Sequence, residues 1–115
     1  MKSTQAVSAL SALAHDGRLA AFRLLIKAGT EGMAAGDIAE RLKMPPSSLS
    51  TNLMLLSNAG LVSSRRDGRS IIYRADYAAM SALLSFLVED CCNGSSEICT
   101  PLAATLATCT TGKCR

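Results

Sequence analysis

The 115-residue chain has no tryptophan and only two tyrosines and two phenylalanines. Any core must therefore be aliphatic, and the recurrence of Ala and Leu favours helices over a β-sandwich. No stretch approaches the roughly 18 uninterrupted apolar residues of a membrane span. The opening segment MKSTQAVSALSALAHD has the lysine and small residues of a signal peptide. However, Ser and Gln interrupt it, and Val7, Leu10 and Leu13 recur at helical spacing. It reads as an amphipathic helix. Histidine occurs once, at His15, and no cysteine precedes Cys91. All five cysteines follow, an odd number, so a fully paired disulfide framework would leave one over. That usage fits a reducing cytoplasm and a thiol-rich site better than a secreted fold.

Such a length is most simply one domain, able to bury about two-thirds of its unfolded surface. The sequence has no internal repeat. Its net charge is only +3, but it is unevenly spread. Arg41, Lys43, Arg65, Arg66, Arg69 and Arg74 face Asp67 alone, a local balance of +5. A solvated face explains such a bias, and so does a nucleic-acid surface.

The spacing predicts a first helix from about Thr4 to Ala14. A second, with Asp16 as N-cap, carries Leu19, Phe22, Leu25 and Ile26. KAGTEG ends it, with Gly29 and Gly32 supplying positive φ. A short helix, Asp37 to Lys43, buries Ile38, Ala39 and Leu42 and is broken by Pro45 and Pro46. Ser47 is then the expected N-cap of a helix with Leu49, Leu53 and Leu56 on one face. Two helices across a tight turn make a helix-turn-helix. Leu61 to Arg65 and Ser70 to Arg74 read as strands around Asp67-Gly68, a strong hairpin signal. A last amphipathic helix spans about Tyr77 to Asp90, with Met80, Leu83, Leu84, Leu87 and Val88 apolar. The fold class is mainly α with a small β-hairpin wing, a winged helix-turn-helix.

The helix from Ser47 carries Ser48, Thr51 and Asn52 on its expected outer face, with Ser50 near the edge. A helix entering the major groove uses such side chains near its N-terminus to reach phosphates and base edges, and Asn suits adenine. Capping and solubility account equally well for any one of them. Together, with no acidic residue from Pro45 to Asn58, they favour DNA. Arg65, Arg66 and Arg69 around the hairpin turn suit phosphates or a minor groove, and Lys43 and Arg41 would lie near the backbone.

Three stretches, ALAHDGRLAAFRLL, DIAERLKMPPSSLSTNLMLLSNAGLV and RRDGRSIIYRAD, occur in that order. Together they make the chain resemble the ArsR/SmtB family of winged-helix metalloregulatory repressors over roughly residues 6–92. The resemblance implies a homodimer joined through its first and last helices. Val7, Leu10, Leu13, Met80, Leu83, Leu84 and Leu87 are the candidate interface residues. It further implies binding to an inverted repeat in operator DNA and release when a metal or metalloid binds.

Family members hold inducers at different places. The helix before the turn, GMAAGDIAE, lacks the cysteines of a CxC-type site, and the last helix has no histidine for an interfacial zinc site. His15 reads as an ordinary polar residue at a helix junction. Cys91, Cys92 and Cys99 remain, resembling the arsenic-responsive branch with a vicinal pair and a third cysteine. Thiolates select soft ions, and As(III) or Sb(III) takes three in a pyramid. Structural zinc favours C-x2-C spacing, which the adjacent pair does not provide. A redox sensor is the rival reading. Cys91 and Cys92, however, follow Glu89 and Asp90 near a helix C-terminus, where charge and dipole both disfavour thiolate. Cys109 and Cys114 either reinforce the site, bind a second ion or belong to an idle tail.

The expectation is a DNA-binding and dimerisation domain over 1–92 and a cysteine-containing tail over 93–115. No catalytic residue, structural zinc or membrane partner is expected. A thiol-rich metalloid buffer without operator preference is the other alternative. A disulfide oxidoreductase would show C-x-x-C beside a βαβ pattern, which is lacking.

Overall fold

A computed structural model of the chain describes residues 1–88. Residues Met1–Leu83 form one compact unit, and Leu84–Val88 are the described part of a second. The elements run α1 (Ser3–Leu13), α2 (Asp16–Ala28), β1 (Met33–Ala34), α3 (Ala35–Leu42), α4 (Pro46–Asn58), β2 (Val62–Asp67), β3 (Ser70–Ala75) and α5 (Tyr77–Leu87). The expected fold class is present, with one more strand than the sequence indicated.

The core of the first unit is aliphatic around one aromatic ring. Phe22 and Leu25 of α2, Ile38 of α3, Leu53 and Leu56 of α4, and Leu61 are its largest fully buried side chains. Helix α1 adds only Ala6, Ala9 and Ala12, whose small side chains allow close approach to α2 and α4. Two of its large apolar residues point the other way: Val7 is 59% and Leu10 41% exposed.

Local chemistry sets the junctions. The N-cap of α2 is His15 rather than Asp16; its Nδ1 accepts from the backbone N–H groups of Gly17 (3.1 Å) and Arg18 (3.3 Å). Arg18 then reaches back, its Nε donating to the Ala12 carbonyl at 2.6 Å, so a guanidinium covers the free carbonyls ending α1. Gly29 (φ 81°) and Gly32 (φ 77°) take the positive-φ positions expected of them. A Cβ on Gly32 would collide with the Tyr73 carbonyl, because β1 runs directly against β3.

The sheet is antiparallel in the order β1-β3-β2, with Met33 opposite Tyr73 and Val62 opposite Ala75. Both wing strands run past their expected ends, to Asp67 and Ala75, while β2 starts at Val62 rather than Leu61, and the two-residue turn is Gly68-Arg69 rather than Asp67-Gly68. Gly68 has φ 64° at the first central position, the type II′ pattern. Asp76 caps α5 by accepting from the Ala79 N–H, and the Tyr77 hydroxyl donates to the Ile26 carbonyl at 2.9 Å. Among the described residues, no helix is long and apolar enough to cross a membrane.

Candidate nucleic-acid interface

Helix α3, a short turn and α4 form the helix-turn-helix. The turn rests on Lys43, the one non-glycine residue with positive φ (54°) among those described. In that left-handed conformation its N–H reaches the Ala39 and Glu40 carbonyls, closing α3. Pro45 is the N-cap of α4 and Pro46 its first residue. Ser47 therefore lies inside the first turn instead of capping it. Proline is well suited there, since the first helical N–H groups have no intrahelical partner and its φ is preset.

Leu49, Asn52, Leu53 and Leu56 form the buried face of α4. This corrects the expected position of Asn52, which is 8% exposed and donates through Nδ2 to Met44 Sδ at 3.3 Å. Its spacing from Leu49 and Leu56, i+3 and i−4, carries it inward with them. Space at this elbow is limited, because a Cβ on Gly17 would stand 3.1 Å from Asn52 Nδ2 and 3.1 Å from Met44 Cε.

The opposite face exposes Ser47, Thr51, Met54 and Asn58, with Ser48 and Ser50 exposed at its edges. The Thr51 hydroxyl donates to the Ser47 carbonyl at 3.2 Å. Met54 is 54% exposed, an outward position the sequence reading passed over. Leu55 turns aside, into a groove of about 300 Å³ shared with Ser8, Ser11 and Arg18.

Lys43 and Arg41, before α4, are exposed, as are Arg65, Arg66 and Arg69 on the hairpin. Arg65 is also tied down, donating to the Glu31 carbonyl at 2.9 Å, and so links the wing to the loop before β1. Arg74 donates from Nε to Ser63 Oγ at 3.3 Å across the two wing strands. Exposed cations thus precede α4 in the chain and line the hairpin that follows it.

The candidate dimer residues divide by position. Val7 and Leu10 face outward, Leu13 and Met80 are half-buried, and Leu84 and Leu87 are exposed. Leu83, 2% exposed, is buried within its own chain. Cys91, Cys92, Cys99, Cys109 and Cys114 lie outside the described residues.

Fold and surface together define a winged helix-turn-helix protein. The family described as "Helix-turn-helix domain" matches residues 13–65. The HTH-type transcriptional regulator YgaV of Escherichia coli (strain K12) is 30% identical over 88 residues, covering 76% of this chain and 87% of that protein. The homodimeric winged helix-turn-helix DNA-binding domain of a possible ArsR-family regulator from Mycobacterium bovis superposes with a TM-score of 0.60. It is 30% identical, and the match covers 82% of this chain and 87% of that one. HlyU of Vibrio cholerae, named a transcriptional activator, is 28% identical over 85 residues, covering 74% of this chain and 76% of that protein. Its reduced form matches with a TM-score of 0.60 at 26% identity, over 76% of this chain and 90% of that one. The chain belongs to the ArsR family of winged-helix transcriptional regulators, a class of DNA-binding proteins rather than enzymes.

Proposed function

We propose that the protein is a transcriptional repressor, released from its operator by arsenite or antimonite. The observation that supports DNA binding best is the uncovered polar face of α4, with Lys43 at one end and the arginine wing beyond. Two such helices in a homodimer would engage an inverted repeat about one DNA turn apart, ~34–36 Å. Exposed Val7 and Leu10 on α1, and Leu84 and Leu87 on α5, are apolar side chains suited to burial by a second copy.

The inducer reading rests on ligand chemistry. As(III) or Sb(III) takes three soft thiolates, and Cys91, Cys92 and Cys99 supply them in the segment that follows α5 in the sequence. Binding displaces the thiol protons and reorders the end of the last helix, at the dimer interface. A shift there alters the spacing of the two α4 helices. Moving the operator-bound population from 99:1 to 1:99 takes a differential affinity of about 5.5 kcal/mol.

Thiol oxidation is the second reading, favoured by the relative HlyU having been solved in a reduced form. A gel-shift titration of the operator complex with arsenite, antimonite, zinc and peroxide separates the two. Arsenite is expected to release DNA from the wild type and to have no effect on a variant with Cys91, Cys92 and Cys99 changed to serine. Release of that variant by arsenite would exclude the site. Release by peroxide alone would favour the redox reading.

A further inference from the structure

Resting on the reading of the protein as an operator-specific DNA binder, we infer that α4 recognises thymine through its 5-methyl group, using the Thr51 methyl and the Met54 side chain. No charged side chain lies between Lys43 and Arg65. The helix therefore cannot make the arginine or lysine contact to guanine, the commonest specific major-groove interaction. Asn52, which would suit adenine, is buried against Met44. Asn58 is the last residue of α4, about 10 Å along the axis from Thr51, whereas base edges are met by the N-terminal part of a recognition helix.

Among the outward residues Ser47, Thr51, Met54 and Asn58, the middle pair presents apolar groups within an otherwise polar face. The Thr51 hydroxyl proton is committed to the Ser47 carbonyl, so towards a base the oxygen can only accept, and the methyl beside it is the apolar group on offer. Met54, three residues on, is an exposed thioether on the same face. Thymine is the base that presents a methyl in the major groove. Three helical residues rise about 4.5 Å and return to nearly the same face, a spacing that lets the two side chains reach neighbouring pairs. Charge supports DNA as the occupant of this face, because Lys43 before the helix and Arg66 and Arg69 on the wing are exposed and suited to flanking phosphates.

The test uses the full chain, reduced, with a duplex selected from a random pool. Each thymine of the selected site is replaced in turn by deoxyuridine, which pairs identically and lacks only the methyl. Two adjacent positions per half-site are expected to bind about fourfold more weakly, the effect of withdrawing one methyl-sized apolar contact. That loss should vanish at one position in Thr51→Ser, which keeps the hydroxyl, and at the other in Met54→Ala. Equal binding of deoxyuridine and thymine at every position overturns the inference and leaves the repressor reading standing. So does an undiminished deoxyuridine loss in both variants. If no sequence is selected, the DNA-binding reading falls and the inference with it.

Discussion

Asn52→Ala distinguishes a base-reading side chain from a structural one. In the structure the amide is buried, donates to Met44 Sδ at 3.3 Å and abuts Gly17. Truncation removes one hydrogen bond to a weak thioether acceptor, at or below the lower end of the ~0.5–1.5 kcal/mol net of an ordinary bond, and leaves a small gap beside Gly17. The expected loss of stability is about 1–2 kcal/mol. For a domain of this size that lowers Tm by roughly 4–8 °C per kcal/mol. Urea and thermal unfolding should be compared at one protein concentration, since association raises apparent stability. Operator affinity, measured well below the melting range, should stay within about twofold of wild type, whereas losing a bidentate adenine contact would cost about 1–3 kcal/mol. An Asn52→Ala protein as stable as wild type but binding tenfold more weakly would refute the reasoning.

Three further outcomes are expected. His15→Ala removes the acceptor for two N–H groups at the start of α2 and should destabilise the fold by ~1 kcal/mol in urea unfolding. Gly29→Ala and Gly32→Ala both place an alanine at positive φ, about 1–3 kcal/mol each. Only the Gly32 change also drives a Cβ into the Tyr73 carbonyl, so it should be the more destabilising in the same experiment. Arg66→Ala and Arg69→Ala should weaken binding to all sequences alike, each reducing the slope of log affinity against log salt by about 1.

The helix-turn-helix was legible because its signals agree: apolar residues at helical spacing, a proline pair between the two helices and Gly60 just after the second. The wing was legible from Asp67-Gly68, although the turn lies one residue later, where Gly68 rather than Asp67 takes the positive φ. Strand β1 is two residues long, too short for alternation to register, and depends on a partner nearly forty positions away. Asn52 shows how a polar residue can be misplaced by type alone. Its i+3 spacing from Leu49 already put it on the inner face. His15 looked incidental because capping depends on side-chain direction, not on residue frequency. The thiols of the proposed inducer site lie outside the described residues, so their reading rests on sequence and ligand chemistry.

Lys43 carries a consequence for how this turn tolerates change. Its left-handed backbone would suit glycine, and a lysine there costs about 1 kcal/mol in strain. Replacing it with glycine would therefore relax the corner while removing a cation from the entrance to α4. Stability and DNA affinity would move in opposite directions at a single position. A library screened only for robustness would drift towards a sturdier protein with a weaker grip, starting at this residue.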